Sequence, residues 1–257
     1  ALSAARMGID ALIVMPKTTP EIKVEAVEFY GASVTLYGNS YDEAYQHAKL
    51  IEKESERTFI HPYDDADVIA GQGTIAMEIM QQCDSIPDAI FVPVGGGGLI
   101  AGIAVYIKFL YPQIKIIGVE PDDAACMHDA LKADKRIILD QVGIFADGVA
   151  VKQVGKEPFK IAREYVDDML LVNADEICAA IKDIFDDTRS ITEPAGALAV
   201  AGIKKYIEQH NIKNEHLVAI CSGANMNFDR LRHVTERAEL GEHREMLFTS
   251  IIDEKPG

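Results

Sequence analysis

An uninterrupted apolar run, Ala89-Ile-Phe-Val-Pro-Val94, leads straight into four glycines, Gly95-Gly-Gly-Gly98. A helical apolar pattern at Leu99, Ile103, Ile107 and Leu110 follows directly. A strand without polar alternation must be covered on both faces, which is the situation of a parallel sheet between helices. The next apolar run, Ile114 to Glu120, arrives after one helix length, as a right-handed strand–helix–strand crossover requires. The chain is therefore read as α/β.

The rest of the chain repeats this logic. Asp10-Ala-Leu-Ile-Val-Met15 and Ser33-Val-Thr-Leu-Tyr37 read as strands, and Thr58-Phe-Ile60 as a third. Between the first two, Thr19 offers an N-cap with Pro20 at the first helical position, and the helix runs to Tyr30 before Gly31. Ser40-Tyr-Asp-Glu43 has the form of a capping box for a helix reaching about Glu56. These residues are expected to form a small α/β domain, 1–66. A larger one is expected over 67–240, with a helix over 68–82, strands at Met169 to Val172 and Leu217 to Cys221, and helices from about Asp175 and from Pro194. The cleft between two such layers is the default place for a ligand. Both ends read as cut. The opening helix Leu2 to Met7, stopped by Gly8, has no strand before it, and Met246 to Ile252 reads as a lone strand. Residues 241–257 are accordingly expected to be a linker and the first strand of a further domain.

Charge narrows the function. With 25 Lys and Arg against 41 Asp and Glu the net charge is −16, which repels a phosphate backbone, so no nucleic-acid partner is expected. No apolar run has the length of a membrane span. The four cysteines, Cys83, Cys126, Cys178 and Cys221, lie far apart without a Cys-x-x-Cys pair, which points to a reducing, cytoplasmic setting. The seven histidines form no spaced ligand pair, and no metal site is expected.

The tetraglycine is the strongest chemical signal. At a strand-to-helix junction, free amides and the positive helix end converge, and without side chains a phosphate can approach the backbone closely. A turn alone needs one glycine, not four. Two ligands compete. Gly96-x-Gly98-x-x-Ala101 fits the dinucleotide fingerprint, with Glu120 placed to hold a ribose, which would make the chain a nicotinamide-dependent oxidoreductase. Against this, the preceding strand is at least the fourth by this reading, and four glycines make a cup for a single phosphate. The second signal is Cys221-Ser-Gly-Ala-Asn225 at the end of another buried strand. Ser222 either satisfies its own loop or offers a hydroxyl to a ring nitrogen.

Seven segments occur in order: Pro62-Tyr-Asp-Asp65, Val68-Ile-Ala-Gly-Gln-Gly-Thr74, Val92-Pro-Val-Gly-Gly-Gly-Gly-Leu99, Gly118-Val-Glu-Pro121, Ala146-Asp-Gly-Val149, Thr192-Glu-Pro-Ala-Gly196 and Ser222-Gly-Ala-Asn225. Together they resemble the catalytic domain of the biosynthetic threonine dehydratases (threonine ammonia-lyases), fold-type II pyridoxal-phosphate enzymes related to the tryptophan synthase β chain. The resemblance implies a three-layer fold with two parallel-sheet domains. It implies pyridoxal 5′-phosphate held by Gly95, Gly96, Gly97, Gly98 and Leu99, with Ser222 facing the pyridine nitrogen and Tyr63, Glu193 and Asn225 near the pocket. The reaction implied is dehydration and deamination of L-threonine to 2-oxobutanoate and ammonia, the first step of isoleucine biosynthesis, in a cytoplasmic tetramer or dimer. The family's Schiff-base lysine segment, Ser-Phe-Lys-x-Arg-Gly, is not in this sequence and is expected upstream of Ala1; without it the chain would be a catalytically dead cofactor binder. Serine dehydratases and racemases are similar. The racemases, however, carry Asn where Tyr63 stands and a carboxylate cation ligand where Cys126 stands, so Glu120 is expected to make local hydrogen bonds instead.

Overall fold

The computed structural model describes residues 1–39 and 41–246, and the chain divides into two compact units at His61/Pro62. In the first unit, helix α1 (Leu2–Met7) ends at Gly8, whose φ of 67° is left-handed and whose amide returns to Ala4 and Ala5. Strand β1 (Leu12–Met15), helix α2 (Glu21–Phe29) and strand β2 (Ser33–Leu36) form a crossover, with the two strands parallel and Leu12 opposite Ser33. Helix α3 (Tyr41–Glu54) follows.

Three local expectations change here. Pro20, not Thr19, is the N-cap of α2, because its ψ of 136° keeps it extended and delays the helix by one residue. Thr58 to Ile60 is not a strand. Its Phe59 amide is satisfied by the Glu52 carboxylate at 3.2 Å, and the Phe59 ring packs edge-on against Tyr45 and His61. The capping-box serine, Ser40, lies outside the described residues, as does the strand expected over Met246 to Ile252 beyond Met246 itself; Glu43 accepts from the Asn39 amide at 2.5 Å.

The second unit begins with helix α4 (Ala66–Gln82), strand β3 (Ala89–Pro93), helix α5 (Gly98–Leu110) and strand β4 (Lys115–Pro121). The stretch beyond β4, irregular by sequence pattern, holds helix α6 (Cys126–Lys132), a 3-10 turn at Asp147–Val149 and helix α7 (Lys156–Tyr165). Strand β5 (Asp168–Val172), helices α8 (Ala174–Thr188) and α9 (Pro194–His210), strand β6 (Leu217–Ala219) and helix α10 (Arg230–Gly241) complete it.

The sheet runs β5-β4-β3-β6, all parallel. Side chains alternate by period two between two cores. Ala89, Phe91, Ile117, Val119, Leu170 and Val172 face the core built with α8, α9 and α10. Ile90, Val92, Ile114 and Ile116 face the core built with α4, α5, α6 and α7. This is a three-layer unit, and it explains why β3 reads as continuously apolar. The chain steps from β3 to β4 to β5 in one direction and then returns to lay β6 on the other side of β3. The carboxyl ends of β3 and β6 therefore flank the point where the strand order reverses, the usual ligand position in an open α/β sheet.

Residues 62–66, expected in the first domain, belong to the second unit. Asp65 caps α4 through the amides of Asp67 and Val68, and Asp64 caps α7, 92 residues away, through the amides of Lys156 and Glu157 at 2.8 and 2.9 Å.

Helices α4 and α5 touch at their glycines. A Cβ on Gly102 would press into the Ile69 carbonyl and lie 2.6 Å from the Gly73 amide. Alanine favours a helix interior over glycine by about 1 kcal/mol, so an uncrowded Gly102→Ala would stabilise. The expected result is instead a net loss of about 1–3 kcal/mol from overpacking, read as a lower urea midpoint at unchanged slope.

Candidate active site

Beyond β3, the Val94 amide still bonds the Val119 carbonyl at 2.9 Å, and then the glycine loop leaves the sheet. Gly97, with φ of 93° and ψ of 0°, is the N-cap of α5. The loop carbonyls are all engaged. Gly95 O accepts from the Cys126 thiol at 3.6 Å, Gly96 O from the Gly155 amide at 2.9 Å, and Gly97 O from the Ala101 amide at 3.0 Å. The amides are not. Those of Gly95, Gly96, Gly97, Gly98, Leu99 and Ile100 donate to no acceptor among the described residues, although Gly97, Gly98 and Ile100 are buried. Buried amides are nearly always paired, and each left alone costs about 1–3 kcal/mol. Six in succession at the positive end of a 13-residue helix form a set that an anion satisfies.

The glycines also have a packing reason that the sequence does not display. A Cβ on Gly95 would lie 3.0 Å from Val149 Cα, and one on Gly96 would fall inside the Tyr63 ring. On Gly97 it would meet Met127 Cε at 2.7 Å and Pro158 Cβ at 2.9 Å, and on Gly98 it would sit 3.0 Å from Tyr63 Cα and Cβ. Four glycines are therefore needed by the walls around the loop as well as by the dihedral at Gly97. Tyr63 is one of those walls, held in place by the flanking caps at Asp64 and Asp65. Val149 and Asp64 are not among the candidate residues, although the Ala146-Asp-Gly-Val149 and Pro62-Tyr-Asp-Asp65 segments contain them; Gly155 lies in none of the segments, and no sequence signal marks it.

The Ser222 loop leaves the strand end next to that of the glycine loop, because β6 pairs with β3: Ala219 lies opposite Phe91, and the Ile220 amide bonds the Phe91 carbonyl at 3.1 Å. The Ser222 hydroxyl makes no hydrogen bond to another described residue, so it is not spent on its own loop. Glu193 is the N-cap residue of α9 without a side-chain cap; its Oε1 would lie 3.3 Å from a Cβ on Gly148 and inside contact distance of one on Gly223. It thus joins the Ala146-Asp-Gly-Val149 segment to the Ser222 loop. The neighbouring Thr192 hydroxyl is buried with no hydrogen-bond partner among the described residues. Asn225 is exposed, and no contact with the other candidates brings it to the site.

Glu120 is the one charged residue that is fully buried among those described, at 0% exposure. One carboxylate oxygen accepts from the Met127 amide and the other from the His128 amide, each at 2.8 Å, and the Cys126 thiol adds a longer contact of 3.7 Å. These are the expected local hydrogen bonds. Both oxygens are committed, which removes Glu120 as a ribose ligand. That is the observation against the dinucleotide reading. Among the described residues β3 is the third strand, not at least the fourth, and the first in sequence of its sheet, so strand position does not count against a dinucleotide.

Burial pushes the Glu120 carboxyl up to about 7, against the pull of the His128 and Met127 amides and the Cys126 thiol. Its ordinary value is 4.5. Between these values the folded chain binds more protons than the unfolded one, so stability falls as pH rises, by up to about 3 kcal/mol from this group. Glu120→Gln lacks that decline. The stability advantage of the wild type over the variant is expected to shrink between about pH 5 and about pH 8 in urea unfolding; a constant difference would contradict the shift.

Comparison with known proteins gives the family and the fold. The family model described as "Pyridoxal-phosphate dependent enzyme" matches residues 1–223. The biosynthetic L-threonine dehydratase of Pasteurella multocida is 57% identical over 257 residues, all of this chain and 50% of that protein. Among solved structures, the processed form of threonine deaminase isoform 2 from Solanum lycopersicum superposes with a TM-score of 0.89 at 51% identity, covering 93% of this chain and 66% of that one. Serine racemase from Dictyostelium discoideum gives 0.78 at 33%, covering 88% and 72%. The chain spans about half the length of the curated relatives it matches. With its parallel three-layer sheet and an amide-lined glycine loop at the strand-order reversal, the chain belongs to the family of pyridoxal-phosphate dependent enzymes of fold type II.

Proposed function

We propose that this chain is the cofactor-binding part of a threonine ammonia-lyase, converting L-threonine to 2-oxobutanoate and ammonia at the head of isoleucine biosynthesis. The observation that carries this is the run of six amides from Gly95 to Ile100 that donate to no acceptor among the described residues. The amides of Gly95, Gly96, Gly97, Gly98 and Leu99 would hold the phosphate ester of pyridoxal 5′-phosphate. The cofactor, when bound, supplies an electron sink for the carbon next to the substrate nitrogen.

The chain's own residues shape that chemistry. Ser222, a hydroxyl where other enzymes place a carboxylate, would hydrogen-bond the ring nitrogen without protonating it, which favours β-elimination over transamination. Tyr63 forms one wall of the phosphate cup and Glu193 is assigned to the pocket rim; Asn225, exposed and without a contact to the other candidates, is assigned there only through the Ser222-Gly-Ala-Asn225 segment. The Ser-Phe-Lys-x-Arg-Gly segment that carries the family's Schiff-base lysine does not occur in this sequence, so binding of the cofactor phosphate, not turnover, is the part of the reaction assigned to these residues. A serine racemase-like reading is weaker, since Cys126 turns a thiol, not a carboxylate, toward Glu120. The four free cysteines support a cytoplasmic setting, and no helix among the described residues is long and apolar enough to cross a membrane. A homotetramer or homodimer is the assembly we assign to the whole protein.

Titration of this chain with pyridoxal phosphate and with pyridoxal tests the cup. The phosphate ester is expected to bind saturably and about 100-fold tighter, equivalent to about 2.7 kcal/mol. Borohydride reduction and peptide mapping should find no stoichiometric lysine adduct. Equal affinities would remove the glycine loop as a phosphate site, a stoichiometric adduct would relocate the active site, and preference for a nicotinamide dinucleotide would restore the oxidoreductase reading.

A further inference from the structure

Gly196 has no conformational reason to be glycine. It sits inside the first turn of α9 with an ordinary negative φ, a place where alanine is favoured. Its reason is proximity. A Cβ there would fall inside the Ser222 carbonyl oxygen and lie 2.8 Å from the Gly223 carbonyl. The two segments also exchange hydrogen bonds, the Ser222 amide to the Gly196 carbonyl at 3.3 Å and the Glu193 amide to the Gly223 carbonyl at 3.2 Å. Both peptide planes of Ser222 are thereby seated against one helical turn. That turn cannot yield easily, since Pro194, Ala195, Gly196, Ala197 and Leu198 are all buried.

We infer that Gly196 is a positioning residue for Ser222: the first turn of α9 sets the backbone from which the serine hydroxyl reaches the cofactor ring. The Ser222 hydroxyl has no hydrogen bond to another described residue, so its position is inherited from that backbone. This rests on the assignment of Ser222 to the cofactor, and it gives the Thr192-Glu-Pro-Ala-Gly196 segment a specific task.

The test is a double-mutant cycle in this chain, with Gly196→Ala, Ser222→Ala and both, reading the dissociation constant of pyridoxal phosphate and the absorption spectrum of the bound cofactor. Ser222→Ala is expected to weaken binding about 10-fold, the scale of one hydrogen bond. Gly196→Ala should weaken it at least as much and shift the spectrum in the same direction, and the double variant should be no weaker than Gly196→Ala alone. Multiplying losses, or an unchanged spectrum in Gly196→Ala, would overturn the inference while leaving the cofactor reading intact; a wild-type chain that binds no pyridoxal phosphate would overturn both. Gly202→Ala, crowded instead against Val119, is the control expected to cost stability without changing affinity. Should Gly196→Ala fail to fold, hydrogen exchange of the wild-type Ser222 amide decides: protection like that of the α9 amides supports the interlock, and exchange at the rate of neighbouring exposed loop amides overturns it.

Discussion

The engaged carbonyls of Gly95, Gly96 and Gly97 are the constraint on which the site depends. In a trans peptide the following N–H points away from the C=O, so a pinned carbonyl fixes the next amide. The Cys126 thiol, the Gly155 amide and the Ala101 amide thus set the amides of Gly96, Gly97 and Gly98 before any ligand arrives. Each of those three partners is itself held. Cys126 also contacts the buried Glu120, Gly155 precedes the helix that Asp64 caps, and Ala101 is locked inside α5. An anion entering such a loop meets donors whose ordering was completed during folding, so little entropy is lost on binding.

Much of this unit could be read from residues alone. The continuous apolar runs, the helical apolar patterns between them and the punctuating glycines are enough for the α/β class. What could not be read is what depends on distant partners. Thr58 to Ile60 has the composition of a strand but pairs with none, its Phe59 amide going to Glu52. Helix α7 draws its cap from Asp64, which no window around Lys156 contains. The four glycines were assigned to ligand approach, whereas each also answers a wall supplied by Val149, Tyr63, Met127 or Pro158. Glu120, at the correct spacing for a ribose ligand, spends both oxygens on α6. Spacing placed these residues at the right strand ends; tertiary contact decided what each one does.

The strand order explains why the loops after β3 and β6 leave neighbouring strand ends. Because β6 joins the sheet on the far side of β3 from β4, the loops after β3 and β6 leave the same edge with no strand between them. One brings backbone donors and the other a hydroxyl, suited to the two ends of a phosphorylated heterocycle. A threonine deaminase and a serine racemase are both among the structures that share this fold, so the fold alone does not select the reaction.

The most direct measurement is amide-resolved: a nitrogen–proton correlation spectrum of this chain recorded during addition of pyridoxal phosphate. The account expects the largest amide shifts at Gly95, Gly96, Gly97, Gly98, Leu99 and Ile100, with a smaller set around Ser222. Saturable binding whose shifts fall elsewhere, leaving those six amides unmoved, would contradict it.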